Sequence, residues 1–262
     1  MSASPLIHPT AVIHPEARLG EGVVVEAYAI IEEDTVLGDG CWIGPRAQIS
    51  AGARLGREVK VFHCASVSCV PQDLKFGGER TTLEVGDRTV IREFVTLSRG
   101  TEEAGVTRVG ADCLLMAYVH VAHDCQIGDR VILANMVQVA GHVKLGYHVS
   151  VGGMVPIHQF VRVGDHAFIA GNVSVTKDVP PFVLANDTPL RFCGLNSVGL
   201  RRRGYDGDRL LAIKRHYRLI YGKGSTTPSQ ALSELEERAH TDEDARVMAD
   251  FIRSSERGII QG

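Results

Sequence analysis

No apolar run in this sequence is long enough to cross a bilayer, which takes about 20 successive residues. The opening Met1-Ser2-Ala3-Ser4-Pro5 has neither the basic segment nor the apolar stretch of a secretory signal. A cytoplasmic location is therefore expected. A strong excess of one charge is lacking too. The chain has 28 Lys and Arg against 31 Asp and Glu, a net −3, which removes any bulk attraction to nucleic acid. Its 6 cysteines form no Cys-x-x-Cys pair, so a cysteine zinc site is not expected.

What the chain has instead is a period of six. From Ile7 to Val175 every sixth residue is Ile, Leu or Val, apart from Asp73, Glu79 and Glu103. Four residues after each large aliphatic comes a smaller side chain, as at Ala29, Cys41, Ala47, Ala65, Cys113, Cys125 and Val137. Turn formers such as Gly38-Asp39-Gly40 and Gly128-Asp129-Arg130 lie between. This is neither a helical period nor simple strand alternation. Each unit reads as a short strand plus a corner with two inward side chains, and such a unit buries its apolar face only by stacking on its neighbours. Three units close a triangular coil of 18 residues, with coils about 4.8 Å apart. Cys41, Cys113 and Cys125 fall in the small inward slot and read as core residues.

The exceptions locate features outside the coil. Charges at positions 73, 79 and 103 cannot face a packed core, so residues 70–84 and 98–108 are expected to loop outward. The solenoid is expected to fill 1–187. Beyond it, 188–262 has helical texture: Asp206–Tyr221 behind an Asp cap, a second helix introduced by Thr227-Pro228 and running through Ala239, and a third over Asp242–Ser255.

Histidines cluster in the second half of the repeat. His123, His142, His148 and His166 fall at corners, where side chains point outward. His148 and His166 lie in Gly-x-His turns and read as solvated corner residues. His123 is followed by Asp124, and Gly141 precedes His142 on the next coil. A histidine positioned by a carboxylate can take a hydroxyl proton near neutral pH, and a glycine N–H can stabilise an oxyanion. No serine or cysteine is evidently paired with this histidine, which favours direct transfer to a bound hydroxyl over a covalent intermediate.

Several segments occur in a telling order: Gln72-Asp73-Leu74-Lys75, Arg99-Gly100-Thr101, His120-Val121-Ala122-His123-Asp124-Cys125, Ala140-Gly141-His142 and His158-Gln159-Phe160. Asp178-Val179-Pro180-Pro181, Asn196 and Arg201-Arg202-Arg203-Gly204 follow. Together they resemble the acyl-ACP:UDP-N-acetylglucosamine O-acyltransferase family, over essentially the whole chain. The resemblance implies a left-handed parallel β-helix with a C-terminal helical domain, assembled as a homotrimer. It implies transfer of a 3-hydroxyacyl chain from acyl carrier protein to the 3-hydroxyl of UDP-N-acetylglucosamine, the first step of lipid A biosynthesis. No metal and no organic cofactor is implied.

Residue by residue, His123 then matches the general base, Asp124 the residue that orients it, and Gly141 the donor to the thioester carbonyl oxygen. His142, His158 and Gln159 match substrate contacts, while His120, Asp73 and Lys75 match groups around the glucosamine and phosphates. Asn196, Arg202 and Arg203 match the nucleotide segment, where many relatives carry Glu at the position of Val198. Phe168 and Gly171 fall where the family sets its acyl-length ruler, in a groove between subunits. Arg201–Arg203 with Lys214, Arg215 and Arg218 offer a basic region for the acidic carrier protein. Two alternatives stay open: another hexapeptide acyltransferase, or a zinc solenoid resembling the γ-class carbonic anhydrases. The latter normally follow a His-x4-His spacing, unlike His120-x2-His123.

Overall fold

The inward slots build the molecule. A computed structural model describes residues 5–222 and 228–262. Val25, Ile31, Leu37 and Ile43 are at most 1% exposed, and the small partners Val23, Ala29, Cys41 and Ala47 are sealed completely. Each buried aliphatic of this size contributes about 1.5–3 kcal/mol. Burial pushes the Cys125 thiol up to about 12, as befits a packing residue rather than a nucleophile.

Pairs of residues one coil apart hydrogen bond in parallel, as in Leu6 with Val24 and Ile13 with Ile31. Among the described residues this yields three sheets. One has 11 strands and the other two have 8 each. The first face runs from Leu6–Ile7 to Phe168–Ile169, the second from Val12–Ile13 to Pro156–Ile157, and the third from Arg18–Leu19 to Arg162–Val163. At the corners the fourth residue of most units takes a left-handed backbone, including Tyr28, Arg46, Asp124 (φ 60°) and His142 (φ 61°). Such a residue costs about 1–2 kcal/mol locally, which stacking of the coils must offset.

Both outward loops leave the period intact. Lys60 pairs with Val90, 30 residues on, and Val90 with Leu114, 24 on. The chain therefore extrudes two units and then one, so slots 73, 79 and 103 lie outside the coil. The loops are shorter than 70–84 and 98–108. Strand structure lasts to Cys69 and resumes at Thr82, then lasts to Ser98 and resumes at Val106. The reason is that Leu83 and Thr107 already fill the small inward slot and are fully buried, so pairing restarts ahead of the large aliphatic.

The first sheet also runs past residue 188. Val183–Asn186 pairs in parallel with Phe168–Ile169 and then antiparallel with Arg191–Leu195. Four helices follow among the described residues: α1 (Ser197–Arg202), α2 (Gly207–Tyr221), α3 (Pro228–Arg238) and α4 (Glu243–Arg253). Asp206 caps α2 through the Arg209 N–H at 2.8 Å, as its sequence position predicts. Asp242 caps α4 through the N–H groups of Asp244 and Ala245. Thr227 lies outside the described residues. Leu200, Leu210, Ile213, Tyr217 and Met248 join the solenoid core, and Asp178, buried beneath the tail, accepts from the Arg162 N–H and the Ser255 hydroxyl. No helix of the described residues is long and apolar enough to cross a membrane.

Candidate active site

One edge of the prism carries most of the unusual residues. Both extruded loops leave the second face and rejoin the third, and on the following coils the same edge holds His123-Asp124, Gly141-His142 and Gln159-Phe160. Stacking alone thus collects residues far apart in sequence. They line a cleft of about 880 Å³ that contains Asp73, Lys75, Thr101, Glu103, His123, His142 and Gln159.

At its centre, His123 Nδ1 lies 2.8 Å from Asp124 Oδ2. The left-handed corner at Asp124 is the turn that lets these adjacent residues meet. Asp124 is 3% exposed and is held from two further sides. Thr101 donates its N–H to Oδ1 at 2.9 Å and its hydroxyl to Oδ2 at 2.6 Å, while the Asp124 N–H donates to Thr107 Oγ1. Burial alone would push this carboxyl up, but the bonds from Thr101 and His123 outweigh it and hold it below the usual range. Asp124 is thus held as the carboxylate and accepts a hydrogen bond from the Nδ1–H, leaving the lone pair of His123 on Nε2. Asp73 Oδ2 faces that nitrogen across 4.0 Å.

Gly141 sits under the His123 ring. A Cβ added there would lie 2.8 Å from His123 Cε1 and 2.9 Å from Nε2, so only glycine permits this approach. Its N–H makes no hydrogen bond among the described residues. The His142 ring packs edge-on to His123 at 5.2 Å and stacks on Phe160 at 4.6 Å. His120 stands beside the cleft on the second face, bound through Nδ1 to the Thr96 hydroxyl at 2.7 Å. Burial, then the neighbouring His123, pushes its pKa down. His158 is exposed, with Nδ1 3.1 Å from the Gln159 carbonyl.

The other expected residues lie elsewhere. Phe168, Asn196, Val198, Arg202 and Arg203 line a second cleft, of about 910 Å³, against the first face. It shares no lining residue with the His123 cleft. The Asn196 amide is largely committed, since it accepts from the Gly199 N–H to cap α1 and donates to the His166 carbonyl. Gly171 lines neither cleft and stacks instead on Gly153 at another corner. A single chain therefore brings Asp73, Lys75, His123, Asp124, Gly141, His142 and Gln159 together, and keeps the nucleotide-segment residues apart from them.

Sequence reasoning gave no role to Thr101, Thr107, Glu103 or Phe160. Thr107 did leave a signal, a hydroxyl in an inward slot. His148 and His166 are more than solvated corners. His148 lines the second cleft and His166 stacks on it, with Nδ1 3.3 Å from the Arg203 guanidinium. Burial, then Arg203, pushes His166 down to about 4.

Comparison with known proteins places this geometry. Residues 107–141 match a family model described as bacterial transferase hexapeptide (six repeats), so the solenoid is that of the hexapeptide-repeat transferases. Residues 178–260 match a second, the UDP N-acetylglucosamine O-acyltransferase domain 2. An acyl-(acyl-carrier-protein)–UDP-N-acetylglucosamine O-acyltransferase of Herminiimonas arsenicoxydans is 43% identical over 98% of this chain and 99% of its own. That of Paracidovorax citrulli is 46% identical over 97% and 98%. The solved UDP-N-acetylglucosamine acyltransferase of Francisella novicida superposes with a TM-score of 0.95 at 34% identity, covering 98% of this chain and 94% of its own. The Bacteroides fragilis structure gives 0.94 at 41%, covering 98% and 100%. The chain belongs to the acyl-(acyl-carrier-protein)–UDP-N-acetylglucosamine O-acyltransferase family, and its solenoid is a left-handed parallel β-helix.

Proposed function

We propose that His123 is the general base that moves a 3-hydroxyacyl chain from acyl carrier protein to the 3-hydroxyl of UDP-N-acetylglucosamine, the first step of lipid A biosynthesis. The observation that carries this reading is the chain Thr101–Asp124–His123, which ends in a lone pair on Nε2 opening into the cleft. A sugar hydroxyl that donates its one hydrogen to His123 Nε2 at about 2.8 Å fits beside Asp73, whose Oδ2 lies 4.0 Å from that nitrogen and is free to accept from another donor of the sugar. His123 removes its proton, and the oxygen attacks the thioester carbon. The Gly141 N–H supports the oxyanion while the C–S bond breaks, and His123 returns the proton to the departing thiol. The step as drawn uses no cofactor. Lys75, His142 and Gln159 hold the substrate in the cleft, with His120 and His158 at its margin.

Arg202 and Arg203 suit a pyrophosphate, with Asn196 near the base. They line the other cleft, so a complete site requires the His123 edge of one copy against the Arg203 edge of the next, as in a closed homotrimer. Tyr28, Tyr118, Met136 and Met154, all more than half exposed along a third edge, support such an assembly. The acyl chain would then pass Phe168 and Gly171 between subunits. Exposed Arg201, Lys214, Arg215 and Arg218 receive the acidic carrier protein, and the protein works in the cytoplasm.

The test is incubation of the full chain with UDP-N-acetylglucosamine and carrier proteins bearing 3-hydroxyacyl chains of graded length, with mass analysis of the products. One length should give an O-acylated sugar nucleotide most rapidly. No product at any length would contradict the reading.

A further inference from the structure

His142 Nε2 has an unusual pair of neighbours. Asp124 Oδ2 and Glu103 Oε2 each lie 3.6 Å away, too far for a hydrogen bond. Two ligands of one tetrahedral zinc ion, each about 2.1 Å from the metal, are separated by about 3.4 Å. For His142 the spacing therefore suits a shared cation better than a shared proton, whereas His123 Nδ1 and Asp124 Oδ2, now 2.8 Å apart, must open by about 0.6 Å to share one. His123, Asp124 and His142 each offer one ligand atom, all within 4.8 Å of one another, and they are the one such group among the described residues. Two imidazoles, one carboxylate and a second carboxylate on a loop form a nitrogen and oxygen set that zinc favours over magnesium or calcium.

We infer that zinc, or a similar transition-metal ion, binds His123 Nδ1, Asp124 Oδ2 and His142 Nε2, with Glu103 closing the fourth position, and switches the enzyme off. The inference rests on His123 being the base. Its Nδ1 hydrogen now points at Asp124. To bind a metal, Nδ1 must expose its lone pair, so the neutral ring moves its proton to Nε2. The nitrogen that faces the substrate hydroxyl then carries a hydrogen and can no longer accept one. The ion also takes over the Asp124 oxygen that orients the ring. Glu103 comes from the extruded loop 99–105 and its side chain is 71% exposed, so it can swing onto an ion without disturbing the coil.

Calorimetric titration of the metal-free full chain with zinc, without substrates, tests the binding. One ion per chain at a Kd of about 1–10 µM is expected. Cobalt should bind in its place, with the intense visible absorption of a tetrahedral ion. Glu103→Gln should weaken zinc about tenfold, and His142→Ala should abolish stoichiometric binding. Micromolar zinc should inhibit acyl transfer and a chelator should restore it. No binding below about 100 µM, or equal binding by His142→Ala, would overturn the inference. So would active enzyme that holds zinc without inhibition. Stoichiometric zinc on a protein that never transfers acyl groups would refute the proposed function instead and leave the ligand set standing.

Discussion

Thr101 illustrates how much one buried hydroxyl can control. It gives Asp124 two of the three hydrogen bonds that its carboxylate receives, and a hydrogen bond to a charged group is worth about 1.5–3 kcal/mol. Thr101→Val should lower kcat about 10- to 100-fold with a smaller effect on KM. It should also move the acid limb of the kcat/KM profile upward, because an Asp124 released from that bond takes up a proton at higher pH. Thr101→Ser should restore both. A fall in thermal stability with an unchanged pH profile would reduce Thr101 to a packing residue. His166 bears on stability rather than turnover. Its pKa falls from about 6.5 in the unfolded chain to about 4 in the fold, so the unfolded state binds the extra proton between those values. Its contribution is complete above pH 6.5 and is lost as pH falls towards 4. In urea unfolding the native chain should therefore lose about 1–2 kcal/mol more stability than His166→Phe between pH 7 and pH 4.5, allowing for partial exposure. Parallel curves would contradict that role. His123, Asp124 and Gly141 were legible because a corner histidine beside an acid and a glycine one coil away break a monotonous pattern. Thr101 was not, since its partner lies 23 residues on and only the extruded loop brings them together.

Among elements, the strands were the most legible and the loop ends the least. A six-residue period states which side chain faces inward, and the buried slots from Val23 to Val175 follow it. Residues in the small inward slot such as Leu83 and Thr107 look unremarkable in sequence, and so the loops read too long. Helices α2 and α4 announced themselves by Asp206 and Asp242. Helix α1 is only 6 residues long, too short to show a period. The α4 cap offers a test of the tail. Asp242 bonds two N–H groups and accepts from buried His216 Nε2 at 2.8 Å, while His216 Nδ1 has no partner among the described residues. Asp242→Ala should destabilise the helical tail by about 2–3 kcal/mol, read as faster hydrogen exchange across α4 with the solenoid unaffected. A change below about 0.5 kcal/mol would show that α4 is held by Met248 and Phe251 packing alone.

For the whole molecule, the separation of the two clefts matters most. It could not be read from the sequence, because Arg202 and Arg203 follow the solenoid closely while facing a different edge from His123. If one site takes its base from one copy and its arginines from the next, two inactive variants should complement each other. Unfolding and refolding His123→Ala together with Arg203→Ala in equal amounts should restore about a quarter of native activity, the share of interfaces with both groups intact. No recovery would confine each site to a single chain.

The most direct measurement is of His123 itself. With UDP-N-acetylglucosamine and the preferred 3-hydroxyacyl carrier protein, single-turnover product formation by the native chain is compared with that of His123→Ala, both checked to share one fold and one assembly state. A loss of about 100- to 10,000-fold in the chemical step, with substrate affinity largely kept, is the predicted result. Product formed by His123→Ala at the native rate would contradict it.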